Sequence, residues 1–180
     1  MNSWIIDESG MHFGPYPKDR CFRIEKSRCY KAIQDGVRMA EFLLLRESEK
    51  SGSPVMWIIE ARSSSPRPEN RSDFNKFIIE IREKFVNAFA LGWASCLGRH
   101  PYAVGELPEA FKTLDLMQTD VRFALVIRGH QEAWLSPLQD ALKMALRVEI
   151  KTWRFSSHPV IVMNEDLARR HGLIISYVET

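Results

Sequence analysis

The sequence predicts an α/β domain, or its α+β variant, with a central mixed β-sheet and the order strand-strand-strand-helix-strand-helix-strand. Three observations predict it. The segments VMWIIEAR (55–62) and VRFALVIRG (121–129) are short apolar runs rich in β-branched and aromatic residues. Between them, Phe74, Phe77, Ile78, Ile81, Phe85 and Phe89 recur at helical spacing. Turn signals separate the runs before that helix, so those strands pair antiparallel. The helix itself is a crossover and makes 121–129 parallel to 55–62.

Taken in order, residues 1–20 carry Gly10, Gly14, Pro15 and Pro17 and read as an irregular arm with a short edge strand at 4–6. Alternation of Phe22 and Ile24 with polar neighbours gives a first strand near 21–27. After the turn signal Asp35-Gly36, VRMAEFLLLRE gives a central strand near 37–46. The breaker-rich EKSGSP forms the next turn and leads into 55–62. The loop SSSPRPENRS then leads to a helix capped by Ser72 or Asp73 and running to about 94. Lys76, Glu80 and Lys84 lie four apart on its polar side. Residues 99–120 are a long connection with room for a short helix at 110–117. Pro137 opens a helix whose stripe is Leu138, Ala141, Leu142, Ala145 and Val148. A strand at 159–164, a short helix at 165–171 stopped by Gly172, and an edge strand in LIISYVE complete the chain. No repeat or linker divides it, so residues 1–180 form one domain.

Composition excludes several classes. The net charge of +2, from 25 basic and 23 acidic residues, neither requires nor forbids a nucleic-acid partner. No apolar run reaches the ~20 residues that cross a bilayer. The start MNSWIIDESG lacks a basic-then-apolar leader, so the expected compartment is the cytoplasm. Cys21, Cys29 and Cys96 are too few and wrongly spaced for a disulfide framework or a zinc site. G-x-S-x-G, the G-x-x-x-x-G-K-[ST] phosphate loop and G-x-G-x-x-G are all missing.

Charge inside apolar strands marks the candidate site. Glu60 and Arg62 close the 55–62 strand two positions apart, so both point to one face. Glu41 interrupts RMAEFLLL on the preceding strand, and antiparallel pairing across the 47–54 turn sets it opposite Glu60. Two adjacent carboxylates repel unless a divalent cation or a basic side chain lies between them. Glu25 offers an extra acid, and Lys26 offers a cation to the same cleft. Ser63, Ser64 and Ser65 follow at the strand end and either form the turn or bind phosphate. His130 closes the parallel strand near Arg62, placed as acid, base or phosphate contact. Lys18, Arg20, Arg23, Lys26, Arg28 and Lys31, with Arg67 and Arg71, form the basic surface for a phosphate backbone.

Glu41, then Glu60-Ala61-Arg62 on the next strand, followed by a helix and a parallel strand, resembles the PD-(D/E)XK nuclease superfamily, a restriction-endonuclease-like fold. The resemblance covers about residues 21–130 in element order and three side chains by motif. It implies Mg²⁺ held by Glu41, Glu60 and the Ala61 carbonyl, and phosphodiester hydrolysis on nucleic acid. Arg62 stands where that family has lysine. It stays protonated, so it cannot act as general base, although it can stabilise charge on a phosphate. The first acid is Glu rather than Asp, and no proline precedes it. WIIEARSS also resembles a VEAKSS-like segment of uncharacterised bacterial proteins. The alternative is a catalytically inactive nuclease-like domain in which Arg62 pairs with the acids. Such a domain binds nucleic acid or a partner protein, with Trp4, Trp57, Trp93, Trp134 and Trp153 as candidate anchors.

Overall fold

The computed structural model describes residues 3–156 and 158–175. The chain opens with an antiparallel hairpin of β1 (Ser3–Glu8) and β2 (Met11–Pro17). This corrects the expectation of an irregular arm. Ser9 and Gly10 both take positive φ, 51° and 74°, and the tight turn they make reverses the chain. Alternate residues Ile6, Met11, Phe13 and Tyr16 are buried, which holds the hairpin against the main sheet.

That main sheet has the order β3-β4-β5-β6-β7. Its strands are β3 (Cys21–Phe22), β4 (Phe42–Glu47), β5 (Pro54–Arg62), β6 (Asp120–Ile127) and β7 (Val160–Met163). β3–β4 and β4–β5 are antiparallel, and β5–β6 and β6–β7 are parallel. The first strand is far shorter than its alternation implied. Past Phe22 the chain enters a 3-10 turn at Ile24–Lys26, and then α1 (Arg28–Lys31). Ser27 fixes this change of path. Its Oγ donates to Ile24 O at 2.6 Å and accepts from Tyr30 N at 3.0 Å, capping the helix. Ile24 and Cys29 are still buried, so one apolar spacing serves a turn as well as a strand.

Helix α2 (Arg71–Cys96) is the crossover between β5 and β6. Asn70, rather than Ser72 or Asp73, caps it, with its side chain accepting from Asp73 N. Phe77, Ile78, Ile81, Phe85 and Phe89 pack onto Leu43, Leu45, Met56, Ile58, Phe123 and Leu125. The opposite sheet face carries Phe42, Leu44, Trp57, Ile59, Ala124 and Val126, covered by the hairpin. At Gly92 the helix approaches the sheet so closely that an added Cβ would lie 2.8 Å from Leu43 Cδ1.

The 99–120 connection forms two single-turn helices, α3 (Ala103–Glu106) and α4 (Glu109–Lys112). The one expected at 110–117 is thus shorter and displaced. Phe111 on α4 meets Phe22 edge-on at 6.2 Å, which covers the short edge strand. The helix expected from Pro137 starts at Leu135 as α5 (Leu135–Ala145) and breaks at Leu146 into α6 (Arg147–Trp153). Leu138 and Leu142 are buried as expected, but the break turns Val148 outward to 59% exposure. Asn164 caps α7 (Glu165–Arg170) after β7. Ile174 makes a single bridge to Phe13, Ile175 N donates to His12 O at 3.2 Å, and residues 176–179 of the expected terminal strand lie outside the described residues. Among the described residues, no helix is long and apolar enough to cross a membrane.

Candidate functional site

The register of β4 on β5 brings the first two acids together. Phe42 pairs with Ile59, so Glu41 extends the ladder opposite Glu60, and Glu41 N donates to Ile59 O at 3.0 Å. Positions 41, 43 and 45 share the α2 side of the sheet with 56, 58 and 60.

Two further acids arrive from elements outside this strand pair. Glu25 sits in the 3-10 turn that replaces the end of the first strand. Glu8 ends β1, where the hairpin tip is seated on the C-terminal ends of the parallel strands. Ser9 Oγ donates to Ala61 O at 2.9 Å, and Gly10 lies where a Cβ would be 2.5 Å from Arg128 Nη1. As a result, one oxygen from each of Glu8, Glu25 and Glu41 lies within 4.8 Å of the others. All three carboxylates are partly exposed. The Ala61 carbonyl, expected as a backbone ligand, has one of its two lone pairs taken by Ser9.

Glu60 is fully buried beside this cluster. Its Oε1 accepts from Lys84 Nζ of α2 at 2.7 Å, and Arg62 Nη1 lies 3.7 Å from the same oxygen. Its Oε2 is buried and has no hydrogen-bond partner. Burial pushes the Glu60 pKa up to about 7, although Lys84 and Arg62 pull against it. Burial also raises Glu41, to about 8, and the charges of Glu60, Glu25 and Glu8 add to the rise. Both shifts favour the protonated carboxyls, and both come first from burial.

Those cations are mostly committed. Arg62 Nη1 donates to Glu80 Oε1 at 2.8 Å while staying 3.7 Å from Glu60 Oε1, so it is shared between α2 and the buried acid. Lys26 pairs with Glu25 at 2.8 Å, and Arg23 lies 3.8 Å from Glu8. Lys26 holds its proton more tightly through Glu25, with Glu8 and Glu41 adding. The rest of the expected basic surface is spread over several elements. Arg20 pairs with Glu47 at 3.3 Å. Lys18, Arg28 and Arg67 lie over Trp4, Tyr102 and Trp134, at 4.6, 4.3 and 4.8 Å. Lys31 and Arg71 are exposed.

His130 is placed apart from the acids. Its Nε2 lies 3.3 Å from Ser65 Oγ, its ring sits 5.3 Å from Trp134, and burial lowers its pKa. Among the described residues, no hydrogen bond or ion pair joins it to Arg62 or to the four acids.

Sequence reasoning missed Lys84 and Glu8. Lys84 carried a usable signal, because it follows Ile81 by three and Phe77 by seven, on the buried side of the stripe. Glu8 precedes Ser9-Gly10, a turn dipeptide that marks a hairpin. Nothing in spacing alone would have sent its carboxylate to Glu41.

Oxygen-rich, partly hydrated carboxylate sets suit hard divalent cations such as Mg²⁺ and Mn²⁺. Next to the three converging acids, Glu60 Oε2 is buried without a partner and the Glu41 carboxyl is raised. Comparison with family models, curated proteins and solved structures finds no match to this chain.

Proposed function

We propose that this chain hydrolyses phosphodiester bonds in nucleic acid with Mg²⁺, through a PD-(D/E)XK-like site on a restriction-endonuclease-like fold, with Arg62 in the usual lysine position. One observation carries the reading. Oxygens of Glu8, Glu25 and Glu41 converge within 4.8 Å, next to Glu60, which is buried with one oxygen unpartnered. The antiparallel strands followed by helix and parallel strand support it as well.

In this reading Glu41, Glu8 and Glu25 hold the cation, and Glu60 completes the set from the strand. A bound Mg²⁺ supplies a water of lowered pKa and charge neutralisation at the phosphate oxygens. Lys84 Nζ holds the Glu60 carboxylate in one orientation. Arg62, positioned by Glu80, stabilises charge on the phosphate rather than moving a proton. The exposed Lys31 and Arg71 track the backbone.

The test is calorimetry with Mg²⁺ and Mn²⁺ on the purified chain, alongside cleavage assays on single- and double-stranded DNA and RNA. Glu41→Gln and Glu60→Gln should remove cation binding and cleavage while circular dichroism stays unchanged. Cleavage that persists in both variants would sink the assignment. The Lys84–Glu60 contact favours one second reading, a catalytically inactive nuclease-like module. Nucleic-acid or partner-protein binding without any cation uptake would select it.

A further inference from the structure

At the other end of the sheet, we infer that a cleft binds the phosphate of a nucleotide, free or at the end of a strand, through Arg46, Arg122, Arg154 and Arg170. The cleft encloses about 900 Å³ between the β4–β5 turn, the start of β6, the segment after α6 and the end of α7. Its floor lies at Val55, the partner of both Arg46 and Asp120. Five residues of β5, roughly 16 Å, separate that level from Glu60.

The four arginines line one cleft, together with Lys50. Arg46 and Arg122 both lie over the buried Trp57 indole, at 5.2 and 4.8 Å, which holds two half-buried guanidinium groups against one ring. Arg46 Nη1 also donates to His171 O at 2.7 Å. Among the described residues, no carboxylate forms an ion pair with Arg46, Arg122, Arg154 or Arg170. The acids that line the cleft are largely engaged: Glu47 pairs with Arg20, and Asp120 accepts from Ser156 N and Oγ. Glu49 remains, exposed on the rim. Guanidinium groups lining one cleft without ion-pair partners favour an anion there, and planar guanidinium forks match phosphate oxygens in pairs. Trp153 stands 50% exposed at the wall, stacked on Phe155 with an 11° interplanar angle, and gives a base a surface to lie on.

The ring of His171 reports on the site. Burial lowers its pKa first, the charges of Arg122, Arg46 and Arg170 lower it further, and Glu49 on the rim pulls it back up. A bound phosphate offsets those charges, so the His171 titration must move upward.

The experiment uses the full chain in EDTA at low salt, which leaves the acidic site without a cation and separates this inference from the hydrolysis reading. Pyrophosphate, adenosine 5′-monophosphate, and the same short single strand with and without a 5′-phosphate are titrated by calorimetry. His171 is followed by NMR. Phosphate-bearing ligands should bind, the unphosphorylated strand should not saturate the cleft, and the His171 pKa should rise. Arg122→Gln and Arg170→Gln should each weaken binding by about tenfold or more. Arg170 is exposed on α7, so its variant still reports if Arg122→Gln disturbs β6. Tighter binding of the phosphorylated strand than of the mononucleotide assigns the source to a strand end, and the reverse to a free nucleotide. No phosphate binding, binding unchanged in both variants, or an unmoved His171 titration would overturn the inference.

Discussion

Lys84 Nζ donates to Glu60 Oε1 at 2.7 Å, tying the middle of α2 to the C-terminal end of β5. Lys84 is 15% exposed and Glu60 fully buried, so solvent screens the pair weakly. In Lys84→Met the buried carboxylate loses its nearest cation and takes up a proton instead. The loss of stability should then be about 2–4 kcal/mol at pH 8 and under about 1 kcal/mol at pH 5, by urea unfolding. An equal loss at both pH values would mean that Lys84 contributes only by packing.

The acids make stability fall as pH rises. Glu60 and Glu41 have folded pKa values of about 7 and 8, above the ordinary 4.5. Between those limits the folded state binds more protons than the unfolded one, so the slope of stability against pH is negative. Below pH 4.5 both are protonated in either state and cost nothing; above pH 8 the full cost, on the order of 3 kcal/mol for Glu60, is present. In EDTA the midpoint of urea unfolding should decline from pH 5 to pH 8, and Glu41→Gln should flatten the decline. Saturating Mg²⁺ should restore stability at pH 8 and do little at pH 5, where protons compete for the ligands.

Much of this arrangement was legible, for identifiable reasons. The β4–β5 register followed from the turn at 47–54, and it put Glu41 opposite Glu60 because antiparallel pairing leaves no freedom once one pair is set. The helix was read from its six apolar residues, and its Asn70 cap was misplaced by two or three positions. The first strand failed beyond Phe22 because Ile24 and Cys29 bury themselves in a turn as readily as in a strand. Glu25 was anticipated as an extra acid, whereas Glu8 and Lys84 depend on how hairpin and helix dock. That docking is decided by shape, at places such as Ser9 on Ala61, which no single-sequence pattern encodes.

On the proposed hydrolysis reading, Arg62 separates cation binding from phosphate contact. Its partner Glu80 is 30% exposed, as is Arg62 itself, so breaking the pair should cost about 1 kcal/mol or less. Arg62→Ala should leave the Mg²⁺ affinity within about threefold of the parent, while nucleic-acid cleavage falls by about a hundredfold. Calorimetry and cleavage assays on the same preparation check both. Cation affinity lost together with cleavage would place Arg62 in the support of the carboxylates instead of against the phosphate.

Gly92 sets how close α2 comes to the sheet, and therefore where Lys84 reaches. An added Cβ would sit 2.8 Å from Leu43 Cδ1 and 3.7 Å from Met56 Sδ. Leu43 is fully buried on the same face as Glu41, two residues along the strand. Alanine has the higher helix propensity, worth about 1 kcal/mol, but the contact is too short to keep without moving Leu43 or the helix. Gly92→Ala should therefore be net destabilising by about 1–2 kcal/mol in thermal or urea unfolding. Adding Leu43→Val, which shortens the blocking side chain, should recover part of that loss, and the two changes should be non-additive. Additive losses in the double variant would show that Gly92 is there for the helix backbone alone and does not govern the seating of Lys84.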